Sequence, residues 1–272
     1  MVMNNPFSLA GKVALITGGA TGLGLAMAQC MVQSGAHVII ASRNLEKCEQ
    51  AAASLTKEAA LSEKTLGGTM ASRVGSASAC ALDVTDSANV NEVVATFIQK
   101  HGHIDILCNN AGNHCKKPIT QMSVDDFTSV LTTHVVGSFV LTKALVPYMQ
   151  QQGGGNIQFT ASMTSFLGMP NVVGYSAAKA AFLGMIHSLS TELAPFHIRV
   201  NGIAPGWIET TMLHQALDHD EPRKNKILQR TPLGCFGQPA DIGWASVYLA
   251  SPASSFVTGQ VLVVDGGALN GF

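Results

Sequence analysis

Charge is the first scarcity. Only 12% of the 272 residues are Asp, Glu, Lys or Arg, and the formal net charge is -1. So even a balance gives no electrostatic footprint for nucleic acid or for an anionic membrane surface. Aromatic residues are sparse as well, at 6%. The six cysteines (Cys30, Cys48, Cys80, Cys108, Cys115 and Cys235) form no CxxC pair and no Cys/His spacing suited to a metal. They read as reduced thiols of a cytoplasmic protein. No window of 18 uninterrupted apolar residues occurs, so no membrane span is expected. The segment MVMNNPFSLAGK lacks the basic-then-apolar order of a secretory signal, and LNGF matches neither an ER-retention nor a peroxisomal address.

What the chain has is apolar bulk. Hydrophobic residues make up 47%, enough for a sizeable core, and with so few charges part of that surface is expected in an oligomer interface. Short apolar runs at 12–17, 37–41, 78–82, 104–108, 155–160, 197–203 and 260–264 read as strands. Helical spacing follows at 25–32, from about 45, and at 87–100, 125–150, 174–195 and 240–250. Strands apolar throughout, alternating with helices, predict a doubly wound α/β domain around a seven-stranded parallel sheet. No linker divides residues 1–272, so one dinucleotide-binding and catalytic domain is expected. Two stretches break the rhythm. Residues 61–79, small and polar, read as a surface insertion. Residues 207–237 are too long for an ordinary connection and read as a substrate-facing insertion.

At the first strand-to-helix turn stands TGGATGLG, residues 17–24. Its glycines permit a tight turn and close backbone approach, and a helix N-terminus offers free N–H groups to a pyrophosphate. Gly18, Thr21, Gly22, Leu23 and Gly24 are therefore candidate phosphate contacts. At the end of the second strand the chain reads Ala41-Ser42-Arg43-Asn44. A carboxylate there would bond a ribose 2′-OH; its absence, with Ser42 and Arg43 in its place, favours NADP(H), unless Arg43 is only a solvated loop charge. Asp83 and Val84, ending the third strand, are candidates for the adenine, although Asp83 competes with Asp86 for a helix N-cap.

One further pair needs a reason. In GYSAAKA, residues 174–180, Tyr175 and Lys179 stand four apart and share a helix face. A phenol gains little from an ammonium at neutral pH unless it is to lose its proton. A nearby cation favours phenolate and would lower a Tyr pKa from its ordinary value of about 10.

Together, TGGATGLG, Asn109-Asn110-Ala111-Gly112, Ser162, Tyr175-x-x-x-Lys179 and Pro205-Gly206 resemble the short-chain dehydrogenases/reductases in order and spacing, over nearly the whole chain. The resemblance implies a Rossmann-like sandwich, a nicotinamide cofactor and a homotetramer. It also implies Tyr175 as acid/base, Lys179 as its charge partner and a ribose contact, and Ser162 orienting the substrate oxygen. Asn110, Ala111 and Gly112 would pass along the cofactor, and Pro205, Gly206, Ile208 and Thr210 would hold the carboxamide. Where the family usually has Asn, this chain has His134, which would keep the carbonyl of a proton relay and steady a local helix bulge, or else impair turnover.

Substrate signals are thinner. The loop Asn113-His114-Cys115-Lys116-Lys117-Pro118 could draw an anion or be merely solvated. The segments 160–165 and 207–212 are similar to the gluconate 5-dehydrogenase-like branch, which implies a sugar acid or polyol and NADP. The alternative is a 3-oxoacyl thioester or hydrophobic ketone in a pocket of Met163, Phe166, Leu167, Met169, Trp207 and Met212. A reading of another class, a non-catalytic NADPH sensor, would not need Ser162, Tyr175 and Lys179 together.

Overall fold

The computed structural model describes residues 5–65, 75–217 and 220–271. In chain order the elements are β1 (Val13–Thr17), α1 (Gly22–Gln33), β2 (His37–Ser42), α2 (Leu45–Thr65), β3 (Ser76–Ala81) and α3 (Ser87–His101). Next come β4 (Ile106–Asn109), α4 (Val124–Leu131), a π-helical turn (Thr132–Val136), α5 (Gly137–Gln151) and β5 (Gly155–Thr160). The chain ends with α6 (Val173–Leu193), β6 (Ile198–Pro205), α7 (Thr211–Leu217), α8 (Glu221–Arg230), α9 (Pro239–Ala250) and β7 (Val261–Val264). The seven strands form one parallel sheet in the order β3-β2-β1-β4-β5-β6-β7. The expected doubly wound, Rossmann-like architecture is the one found.

Alternation along each strand explains why both faces are covered. In β1, Ala14 and Ile16 join Met27, Met31 and Ile242 on the α1–α9 side. Val13 and Leu15 point the other way, to Leu141, Leu145, Phe182 and Ile186 of α5 and α6. A strand buried on both sides loses the polar alternation of a one-sided sheet, hence its uniformly apolar sequence. The order reverses between β1 and β4, so the crevice at the carboxyl ends of these strands is the topological switch point where such sheets bind ligands.

Four expectations need correction. The strand expected at 78–82 begins at Ser76 and pairs with β2 from His37 onward. Its Ser/Ala composition carries no apolar signal, and His37 ties it by ring contacts to Ser76 (2.7 Å) and Ser78 (3.0 Å). The insertion expected at 61–79 therefore shrinks between α2 and β3, and its middle, 66–74, lies outside the described residues. The single helix expected at 125–150 is broken by the π turn, where the Gly137 N–H reaches back to the Thr132 carbonyl. The long segment 207–237 is not irregular, for it holds α7 and α8. Its base is closed by Glu209 N–H to Gly237 O (2.8 Å) and Gly237 N–H to Trp207 O (3.0 Å).

Among the described residues one helical run, Val124–Gln151, has the length and composition of a membrane span. Its buried residues Leu141, Leu145 and Met149 are spent on the sheet.

Helices α1 and α9 approach so closely that a Cβ on Gly243 would lie 2.5 Å from the Cys30 sulfur and 2.6 Å from the Ala26 carbonyl oxygen. Backbone cannot yield as a flexible side chain can. Gly243→Ala is expected to cost about 2 kcal/mol by forcing the helices apart. Urea unfolding measures it, and a loss under about 0.5 kcal/mol would show that the contact is loose.

Candidate active site

The crevice is built first by β1. Thr17 closes the strand with a hydroxyl that donates to Cys108 O (3.2 Å) and accepts from the N–H groups of Asn110 and Ala111 (both 3.0 Å). The Asn110 amide donates to Thr17 O (3.0 Å) and Gly18 O (3.3 Å), and its own carbonyl accepts from Thr160 (3.2 Å). The glycine turn is thus locked to β4 and β5. Gly18 and Gly22 have φ of +64° and +54°, a region L side chains rarely enter. A Cβ on Gly24 would meet Gly18 O at 2.3 Å and Asn110 Nδ2 at 2.6 Å. Thr21 caps α1 without spending its side chain, so its hydroxyl and the first N–H groups of the helix, those of Gly22, Leu23 and Gly24, remain for a ligand. These residues fit a pyrophosphate.

Beside the turn lies a cavity of about 360 Å³ lined by Arg43, Thr85, Asn113, Asp125, Thr128, Ser129, Thr132 and Thr133. Arg43 is exposed. Asp86 wins the N-cap of α3, accepting from Ala88 and Asn89. That leaves Asp83, whose carboxylate accepts from the Thr85 N–H (2.9 Å) and hydroxyl (2.7 Å). These bonds, and then the Arg43 charge, hold the Asp83 carboxyl below its ordinary value. Val84 packs where a Cβ on Gly137 would stand, 2.7 Å from its Cγ2. The hydroxyl-lined wall of α4 was not foreseen; threonines on a helix face carry no periodic signal of a ligand.

Ser162, Tyr175, Lys179 and His134 are brought together. Ser162 caps the 3₁₀ turn Met163–Ser165, accepting from the Thr164 N–H (3.1 Å), and its hydroxyl stands near enough to Tyr175 to pull the phenol pKa down. Lys179 is buried; its ammonium donates to Thr160 O at 2.5 Å and lies 5.4 Å from the Tyr175 ring centroid. Burial lowers the Lys179 pKa to about 7. It raises that of Tyr175, against the smaller opposing effect of the Ser162 bond. The expectation that Lys179 would depress the phenol is therefore not met by the protein's own groups. Both have lost water, and that cost outweighs their mutual attraction.

His134 occupies the π turn, 2% exposed, its ring edge-on to Tyr175 with centroids 5.6 Å apart. Nε2 lies 2.8 Å from the Asn113 carbonyl oxygen and 3.2 Å from the Asn113 nitrogen, so either tautomer meets a partner at Asn113, and Nδ1 is buried with no protein partner. Gly112 must be glycine here, because a Cβ would come within 2.1 Å of the imidazole Cε1. Tyr175 also meets His114, with centroids 5.0 Å apart at 86°.

At the same end of the sheet Pro205 ends β6. Gly206 passes so close to Asp265 that a Cβ would meet its Cα at 2.6 Å. Ile208 is buried and bridges to Gly237. Thr210, expected at the carboxamide, accepts from the Leu213 N–H (3.2 Å) at the start of α7, which leaves its O–H to donate. Lys117, expected to draw an anion, is paired with Asp126 (2.7 Å). Of the expected apolar pocket, Met163 is core, Phe166 is 45% exposed, and the side chain of Met212 lies outside the described residues.

A doubly wound sheet with a phosphate-type glycine turn and a Ser–Tyr–Lys cluster at its switch point defines a nucleotide-dependent oxidoreductase of the Rossmann-like class. The chain belongs to the short-chain dehydrogenase/reductase family. A family model described as enoyl-(acyl carrier protein) reductase matches residues 18–268. A 3-oxoacyl-[acyl-carrier-protein] reductase of Thermotoga maritima is 39% identical over 259 residues, covering 95% of this chain and 98% of that protein. Gluconate 5-dehydrogenase of Gluconobacter oxydans is 35% identical over 267 residues, covering 97% and 98%. Among solved structures, a gluconate 5-dehydrogenase from Burkholderia cenocepacia in complex with NADP and tartrate is similar with a TM-score of 0.86. It is 32% identical, covering 98% of each chain.

Burial, and then the Lys179 charge, lower the His134 pKa to about 3. In the unfolded chain a histidine takes its proton near pH 6.5, so between about 6.5 and about 3 the unfolded state binds a proton that the folded state refuses. Stability therefore falls as pH falls through that window. His134→Asn is expected to flatten the acid limb by up to about 1.4 kcal/mol per pH unit, read by urea titrations at stepped pH. An unchanged limb would rule out a buried neutral imidazole.

Proposed function

We propose that this protein is an NADP(H)-dependent oxidoreductase that interconverts a secondary alcohol and a ketone, with a sugar acid or polyol as substrate. The observation that carries the chemistry is the meeting of Tyr175 with the buried Lys179 ammonium, 5.4 Å from its ring centroid, beside the buried Ser162. When bound, NADP(H) supplies or accepts the hydride. Gly18, Thr21, Gly22, Leu23 and Gly24 hold its pyrophosphate, Ser42 and Arg43 its 2′-phosphate, and Asp83 and Val84 flank its adenine. Asn110, Ala111, Gly112, Pro205, Gly206, Ile208 and the Thr210 backbone line the nicotinamide half, with Lys179 also near the ribose.

The protein's own part is the proton. Ser162 orients the substrate oxygen toward Tyr175, which donates its proton during reduction and recovers it through the Lys179 ammonium. With a Lys pKa near 7, that ammonium can lose and regain its proton at working pH. His134 keeps the π turn and the packing of Tyr175 in place. Residues 207–237, carrying α7 and α8, face the substrate within one catalytic domain spanning 1–272.

The sugar-acid reading is supported by the gluconate 5-dehydrogenase relatives and by the tartrate, a hydroxy dicarboxylate, held by the Burkholderia protein. A second reading, reduction of a 3-oxoacyl thioester, is favoured by the Thermotoga relative. We assign the protein to the cytoplasm, all six cysteines being unpaired thiols. A homotetramer would cover the exposed Val136, Phe139, Val173, Trp244, Phe256 and Leu262. Sedimentation should then give four times the chain mass, and a monomer would leave those side chains unexplained.

Tyr175→Phe is expected to lower the rate about 1,000-fold or more while NADPH affinity, read by its fluorescence, stays within about twofold. Ketones, keto acids and 3-oxoacyl thioesters assayed with NADPH and with NADH decide between the two substrate readings and test Arg43. Retained turnover in the Phe variant would sink the mechanism.

A further inference from the structure

His114 is the unspent group of this site. Its ring packs edge-on against Tyr175, it is exposed at the mouth of the site, and neither ring nitrogen is hydrogen-bonded to the protein among the described residues. His134, also edge-on to Tyr175, differs, being buried with its Nε2 committed to Asn113. The loop that presents His114 is held at both ends. Asn113 N–H reaches His134, and Asn113 Nδ2 donates to the Ser129 hydroxyl (3.1 Å). Lys117 N–H donates to Asn171 O (2.9 Å), and its ammonium is tied to Asp126. A rigid loop offering a free imidazole beside the reacting phenol is a recognition device rather than a solvated turn.

Lys116, two residues along the same loop, is the formal charge that bears on that imidazole, Tyr175 packs against it from α6, and His134 bears on it from the π turn. Of the two α4 carboxylates, Asp126 is paired with Lys117, and Asp125 lines the cavity that Asn113 shares. The cation on the His114 loop favours an anion beside it.

We propose that His114 receives the carboxylate of an anionic substrate beside the Tyr175 phenol, and so separates acidic from neutral alcohols and ketones. The assignment rests on the sugar-acid reading given above. Burial, with the Lys116 charge adding to it, lowers the His114 pKa, so the ring is neutral when it meets its ligand. A carboxylate set against it favours the imidazolium, and binding draws in a proton.

Gluconate is titrated calorimetrically into the full-length, NADPH-loaded protein, in which it has no hydride acceptor and cannot be oxidised, slightly above neutral pH and in two buffers of different ionisation enthalpy. Proton uptake approaching one per gluconate bound is expected. His114→Phe keeps the ring packing but removes the nitrogens; it should weaken gluconate about tenfold or more and abolish the uptake. His114→Gln keeps a donor without a titration, so it should retain part of the affinity and show no uptake. Sorbitol, the neutral counterpart, should bind the wild type and both variants alike. Uptake that persists in either variant, equal losses for gluconate and sorbitol, or no gluconate binding by the wild type would each overturn the assignment. Reduction of neutral ketones by NADPH, followed in parallel, tests the oxidoreductase reading separately.

Discussion

A lysine buried beneath a phenol is the constraint around which this structure is arranged. The Lys179 ammonium has left water for a site with one carbonyl, that of Thr160, to receive it. Its ionised form is thereby made costly enough that the pKa falls to about 7. The same burial raises Tyr175. A pair of groups whose protons are loosened and tightened by one environment is held ready for proton traffic, and the fold has to supply the rigidity that keeps it so.

That rigidity comes from three elements meeting at the carboxyl ends of the central strands. β5 supplies the Thr160 carbonyl and, just past its end, Ser162. Helix α6 carries Tyr175 and Lys179 one turn apart. The π turn between α4 and α5 inserts His134 against the Tyr175 ring, in space that exists because residue 112 is glycine. The bracing of Asn110 to Thr17, Gly18 and Thr160 links this proton site to the glycine turn. A cofactor seated on that turn and a substrate seated at Tyr175 would therefore share one frame.

Much of this was legible in the chain. Apolar runs placed six of the seven strands and the expected third lay two residues late, while the GYSAAKA spacing placed Tyr175 and Lys179 on one face because a helix repeats every 3.6 residues. Other features were hidden for identifiable reasons. Ser76–Ala81 pairs as an edge strand through backbone and small residues, which leave no hydrophobic trace. The break at Thr132–Val136 is a one-residue change in hydrogen-bond pattern, invisible to periodicity and expected only as the helix bulge that the family resemblance implied at His134. Lys117 looked like a free cation until Asp126, nine residues on, folded back to it. Thr210 sat in a promising motif, yet its hydroxyl serves a helix cap.

The sequence by itself determined the alternation of strand and helix, the glycine turn and the placing of Tyr175 and Lys179 on one helix face. All of these are set by local rules: side-chain period, backbone freedom and helical spacing. Only the tertiary structure decided the direction of the pKa shifts, because desolvation depends on what packs above and below a group. It alone showed which charges of the basic loop are already paired, and it alone set two histidines, from positions 114 and 134, against one phenol. Those are contacts between segments far apart in the chain, and no local pattern encodes their meeting.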